Sequence, residues 1–290
     1  MELDRDRAVL AAFVGVSVLG GGNAVGIRFS NRELDPLWGA TVRFALAGLL
    51  LLAVVAVLRL SLPRGRALAG AALFGALNFG LGFGLAYYAL LRLQAGFGQI
   101  VLALVPLLTL LLAVFWRQER FRTQAVIGAL LALAGVAVMS RGPLRDTVPA
   151  LSLLAAVGSA LCIAQAAVLV RRFPPVHPVV INGVGMTVGA VLLLAGALVA
   201  GETFEAPDRA ATWAAIAYLV VVGSGVVFVL YLFMLGRWSA SRAAYTFVVI
   251  PIVTVALSAW LDDEPVGLAL VFGGVLVLAG VYLGALRGAR

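Results

Sequence analysis

An arginine set inside an apolar run is the residue of this chain best placed to do chemistry. Arg43 lies about six residues into the run 37–58, roughly 9 Å from its end at 1.5 Å rise per residue. A charge at that depth costs on the order of 2.5–3.5 kcal/mol on insertion scales, so it must face protein or water, or snorkel to the surface. One reading is a cation that attracts a substrate carboxylate or phosphate at one end of a cavity. The other is structural, with Arg43 paired to Glu33, Asp35 or exposed helix-end carbonyls. Around it, the amides Asn23, Asn78, Gln99, Gln165 and Asn182 also fall within apolar runs, each offering donor and acceptor groups. Tyr87, Tyr88, Tyr231, Trp238 and Tyr245 add apolar faces with a polar handle. These groups suit binding of a small amphipathic solute. Interhelical hydrogen bonds for the amides, and interfacial anchoring for the aromatics, are the structural alternatives.

The inventory for bond-making chemistry is thin. The single histidine, His177, sits in a short connection between prolines, and the single cysteine, Cys162, allows no disulfide within the chain and no thiolate cluster. No metal site, no cofactor and no catalytic residue is expected. Glu119 and Glu264 each stand thirteen residues after a proline, Pro106 and Pro251, at the end of an apolar run. They could serve proton coupling, but a carboxylate in the turn before the next helix is better suited to capping its free N–H groups. The two prolines fall near the middle of their runs. Each removes a backbone hydrogen bond, which makes it either a hinge or a static kink.

The elements that must position these residues are membrane spans. The 290 residues are 63% hydrophobic and 12% charged, against about 25% charged in a soluble domain. Apolar runs occupy 8–27, 37–58, 67–90, 94–116, 122–140, 150–170, 178–200, 212–235, 240–261 and 266–286, most close to the ~20 residues that cross a hydrocarbon core. The fold expected is an all-α polytopic membrane protein. Met1–Arg7 mixes acids with arginine, unlike a basic signal-peptide start, so the first span is expected to be retained.

A repeat organises the spans. Adding 145 takes Pro106 to Pro251, Gly80 to Gly225, Thr109 to Thr254, Glu119 to Glu264, Gly128 to Gly273, and Leu133-Ala134-Gly135-Val136 to Leu278-Ala279-Gly280-Val281. Towards the start of each half the offset is 142, pairing Asp35-Pro36 with His177-Pro178 and Asn23 with Gln165, as insertions in connections would produce. Residues 1–140 and 150–290 are therefore expected as five-helix repeats joined by a linker, 141–149. An odd number of spans turns the second copy upside down, the architecture of secondary transporters with a site near the midplane. Asn23 and Gln165 would then face each other across the pseudo-twofold axis. Pairs such as Gly22 with Gly26, Gly80 with Gly84 and Gly185 with Gly189 present small faces for helix packing.

The net charge of +8 does not indicate a nucleic-acid partner. Every basic residue but the one histidine is arginine, and all but Arg43 are set near span ends rather than along one face. With the N-terminus in the cytoplasm, fourteen arginines fall inside and six outside, which favours both termini cytoplasmic.

The stretch from Leu85-Ala-Tyr-Tyr-Ala-Leu-Leu-Arg-Leu-Gln-Ala-Gly to Pro106, followed by Glu119-Arg120, Gly128 and Ala134-Gly135-Val136, resembles the EamA family of the drug/metabolite transporter superfamily. Gly22-Asn23-Ala24-Val25-Gly26-Ile27-Arg28, Asp35-Pro36-Leu37 and Arg43-Phe44 agree with it. The resemblance covers essentially the whole chain, once per half. It implies a ten-helix bacterial inner-membrane carrier with small-molecule substrates, often amino acids and related metabolites that are exported. The Trp commonly found before the Gly-Asn-like pair is absent, with Gly20-Gly21 in its place and Ser159-Ala160 in the second half. That departure implies a different or wider pocket. A receptor or structural subunit descended from a transporter is the rival reading, and a membrane enzyme the weaker one.

Overall fold

The structure, a computed structural model, describes residues 2–118, 123–140, 149–235 and 246–286. Glu119, Trp238, Tyr245 and linker residues 141–148 lie outside the described residues. The described chain is helical throughout its elements: α1 Glu2–Ser30, α2 Pro36–Val57, α3 Arg66–Ala89, α4 Ala95–Phe115, α5 Thr123–Ser140, α6 Ala150–Val170, α7 Pro178–Ala200, α8 at 210–235, α9 Thr246–Leu261 and α10 at 268–286. Seven of them, α1 to α4 and α6 to α8, are long and apolar enough to cross a membrane, while α5, α9 and α10 contribute shorter apolar stretches.

Local chemistry sets the helix ends. Pro36 and Pro178 occupy the first turn of α2 and α7, where a missing N–H costs nothing and the fixed φ is already helical. Glu202, from the α7–α8 connection, accepts from the free N–H groups of Leu37 and Trp38 at 3.1 and 2.7 Å. His177 Nδ1 accepts from Val179 N at 3.3 Å at the start of α7. Gly201 ends α7 in the left-handed conformation, φ 68°, which glycine adopts without a Cβ clash.

Three helices depart from regular α geometry. A wide π turn runs over Ala76–Gly82 in α3, another over Tyr218–Val226 in α8, and a third over Tyr282–Leu286 in α10. In α4 the helix is interrupted at Ala103 and Leu104, and Pro106 falls in the first turn of the second segment, Val105–Phe115. The expected bend at Pro106 is thus a break. Pro251, by contrast, lies inside the uninterrupted α9.

The helices of the first half pack chiefly on those of the second: α1 on α8 and α9, α2 on α7, α3 on α6 and α7, α4 on α6 and α9, and α5 on α10. Backbones meet closely at two of these crossings. A Cβ on Gly75 of α3 would collide with the Gly185 backbone of α7. On α5 and α10, a Cβ on Gly128 would meet Gly280 O at 2.5 Å, and one on Gly135 would meet Gly273 O at 2.5 Å. Such approaches let van der Waals contact and polarised Cα–H groups hold helices where water supplies no hydrophobic drive. Phe44, Phe79, Tyr87, Met186 and Leu219 lie in one core cluster, and Phe97, Val101, Met139 and Val277 in a second. Large apolar side chains also cover the outside, including Leu49, Phe115, Leu133 and Val199, as a lipid-facing surface requires.

Candidate functional site

Two cavities lie between the halves. The first, about 220 Å³, is walled by Asn23 of α1, Asn78 and Phe83 of α3, Gln99 of α4, Ser159 of α6 and Ile250 of α9 among others. The second, about 330 Å³, is bounded by Arg43 of α2, Asn182 of α7, Ser224 and Tyr231 of α8, and again by Asn78 and Phe83. Val227 and Ile250 complete the wall common to both. Two of the three π turns serve these walls. Asn78 comes from the turn in α3 and Ser224 from the turn in α8, where the widened backbone shifts side chains out of regular register.

Arg43 is only 2% exposed. Its Nη2 donates to Asn23 Oδ1 at 3.1 Å and its Nε to Ser224 Oγ at 3.3 Å, while Nη1 has no acceptor. The guanidinium carbon stands 5.0 and 5.2 Å from the ring centres of Phe44 and Phe83. The suggested carboxylate partners are engaged elsewhere. Asp35 accepts from Thr203 N and Oγ1 at 2.8 and 3.0 Å, and Glu33 accepts from Thr212 Oγ1 and pairs with Arg209. An ion pair between Arg43 and either acid is therefore absent, because both are drawn to the α7–α8 connection and the start of α8. A buried donor without a partner costs about 1–3 kcal/mol. Ring contacts worth up to about 2 kcal/mol when desolvated offset part of that and leave the charge itself unneutralised.

The remaining residues divide. Asn23, Asn78, Gln99, Asn182 and Tyr231 stand on the cavity walls, with Asn182 Nδ2 also donating to Pro178 O at 2.9 Å. Tyr87 is fully buried in the wall behind, its hydroxyl beside Arg43 but outside hydrogen-bond geometry. Tyr88 points outward, 37% exposed. Gln165 accepts from Trp116 Nε1 at 3.3 Å and stands on neither cavity wall. Gly20 and Ser159 both stand on the first cavity's wall.

Glu264 does accept from a helix's first N–H, but that of Ala95 in α4, at 2.8 Å, rather than one of α10. It belongs to a cluster closing one end of the bundle. Arg28 Nε lies 2.8 Å from Asp262 Oδ2 and 2.9 Å from Glu264 Oε1, Arg28 Nη1 donates to Leu93 O at 2.8 Å, and Arg32 pairs with Asp262. Arg28 thereby ties α1, the α3–α4 connection and the α9–α10 connection together. This cluster and Ser224 escape a reading of sequence. The one local signal is the small, polar Gly223-Ser224-Gly225 inside an apolar helix.

A model of the EamA-like transporter family matches residues 7–141 and again 150–285. An uncharacterized inner membrane transporter, YedA of Escherichia coli K12, is 30% identical over 95% of this chain and 92% of its own length. A probable terminal-alkyne amino-acid exporter of Streptantibioticus cattleyicolor is 31% identical over 76% of this chain and 74% of its own. A probable amino-acid metabolite efflux pump of E. coli K12 is 27% identical over 97% of this chain and 95% of its own. One solved crystal structure shares the fold with a TM-score of 0.68 at 21% identity, covering 97% of this chain and 98% of that one. Apolar helices enclosing mainly apolar cavities with a few polar side chains, matched in both halves by one family model, identify this chain as a membrane transporter belonging to the EamA-like transporter family.

Proposed function

We propose that this transporter works by alternating access around the paired cavities, exporting an amino acid or related small metabolite. The observation that carries the reading is Arg43, a buried cation without an anionic partner among the described residues, on the wall of a cavity bounded by both halves. A transported carboxylate supplies what the guanidinium lacks. The names of the exporter and efflux-pump relatives support the amino-acid class. On this reading the chain has ten spans in two inverted five-helix repeats, 1–140 and 150–290, with both termini in the cytoplasm of a bacterial inner membrane. The reciprocal glycine pairs support the repeat, since adding 145 takes Gly128 to Gly273 and Gly135 to Gly280, and the pairs Gly128–Gly280 and Gly135–Gly273 then exchange. The Arg28 cluster would be the outer closure, which opens when the halves rock.

Purified protein in liposomes, given a labelled panel of amino acids, their N-acyl derivatives, purines and quaternary amines, tests the proposal. Saturable flux above empty liposomes, with and without a pH gradient, is the expected result. Flux indistinguishable from empty liposomes for the whole panel, with folded protein, counts against it.

A further inference from the structure

Among the described residues, Arg43 is the only charged side chain on either cavity wall. The oxygens it bonds, from Asn23 and Ser224, belong to neutral groups, and its Nη1 has no acceptor in hydrogen-bond geometry, with the Tyr87 hydroxyl beside the guanidinium. Acids nearer the ends of the bundle are engaged there, Glu33 with Arg209 and Thr212 and Asp262 and Glu264 with Arg28. Among the described residues, the site therefore holds one positive charge and offers no carboxylate to receive a positive group.

We infer that this carrier selects organic monocarboxylates whose amino group is absent or blocked, over zwitterionic amino acids and over cations. The inference rests on the carrier reading above and names the charge form its site takes. A carboxylate at Nη1 completes the guanidinium's hydrogen bonds and neutralises it, in the geometry arginine provides for such groups. A free α-ammonium would then be held beside a like charge in an apolar wall, with amide and hydroxyl groups alone to accept its protons. The body of the ligand extends past Asn78 and Phe83, common to both cavities, into the first. There the Ser159 hydroxyl, fully buried and without a partner, can donate to a neutral carbonyl such as that of an N-acyl group.

Three ligands with one ring separate the charge forms: N-acetyl-L-phenylalanine, L-phenylalanine and phenethylamine, titrated calorimetrically into wild-type protein in lipid nanodiscs near neutral pH. The acetylated anion is expected to bind about tenfold or more tightly than the zwitterion, and the amine not measurably. Arg43→Gln should erase the preference, and Arg43→Lys, which keeps the charge without the fork, should retain part of it. Equal or tighter binding of phenylalanine, a preference that survives in folded Arg43→Gln protein, or no binding of the acetylated anion overturns the inference. If the glutamine variant does not fold, the wild-type ranking alone decides. Saturable flux that favours the zwitterion would sink the charge selectivity and leave the carrier standing. A lack of flux across the panel above would sink the carrier reading, whatever the calorimetric ranking.

Discussion

Gly223 is the residue that lets Arg43 keep its amide partner. A Cβ there would collide with Asn23 Oδ1 and come within 3.4 Å of Arg43 Nη2, so even alanine must push the Asn23 side chain away. Gly225, two residues on, is an ordinary site, where a Cβ would meet Leu50 and the Val220 carbonyl at 3.6 and 3.7 Å. Gly223→Ala should therefore weaken ligand binding as much as Asn23→Ala does, with Gly225→Ala close to wild type. Titrating all three variants checks this, and equal effects at both glycines would mean that the π turn itself, rather than the amide, is sensitive. The sequence exposes Arg43 because a charge in an apolar run is conspicuous wherever the chain goes. It does not expose Ser224, which reaches Arg43 across 181 positions. Nor does it say that Asp35 and Glu33, near in the chain, turn to other donors. Sequence distance ranks partners only until tertiary packing brings others nearer.

At the scale of elements, the two repeat-related prolines are unlike. Pro106 occupies the first turn of a helix segment, where no intrahelical donor is required, and Pro251 interrupts the ladder inside α9. Pro251→Ala restores a hydrogen bond and should lower turnover more than it changes KM, with Pro106→Ala much milder. Steady-state flux of both variants reads this, and equal effects would argue against an inequality between the two helices. A second element-scale tie is Glu33, which joins the α1–α2 connection to the start of α8. The Thr212 hydrogen bond foremost, then the Arg209 N–H and charge, hold its carboxyl below the ordinary value of 4.5, against the opposing effect of burial. A depressed carboxylate adds stability that is complete above the unfolded value and is lost as pH falls through the folded one. The thermal stability of wild type should thus exceed that of Glu33→Gln at neutral pH, and the gap should close only in acid below 4.5. A gap independent of pH would show that ionisation of Glu33 does not contribute to stability. Hydrophobic runs made these helices legible, and the Asp-Pro and His-Pro pairs marked two starts. The π turns were not legible, because Ala76–Gly82 and Tyr218–Val226 read as ordinary helix by composition.

Over the whole molecule, the α5–α10 crossing brings the two halves into backbone contact. Alanine at Gly128 or at Gly273 adds a methyl against a neighbour that is backbone or tightly placed, so each should cost about 1–3 kcal/mol, as overpacking does. Because the two positions are equivalent under the repeat, the losses should match, and thermal denaturation of the pair measures them. A large loss at one position only would show that the halves do not share this seam evenly. The 145-residue offset was readable because the glycines that make the seam recur with it. How the halves enclose two cavities was not, since shape depends on all the helices together. One consequence of the unneutralised Arg43 reaches beyond structure, to the energetics of the cycle. An empty site carries a positive charge that a site loaded with a carboxylate does not. If access to that site switches sides, only the empty carrier's return is sensitive to the membrane potential, at up to about 2.3 kcal/mol per 100 mV for a full charge crossing. Voltage would then set the pace of export through the step in which nothing is carried.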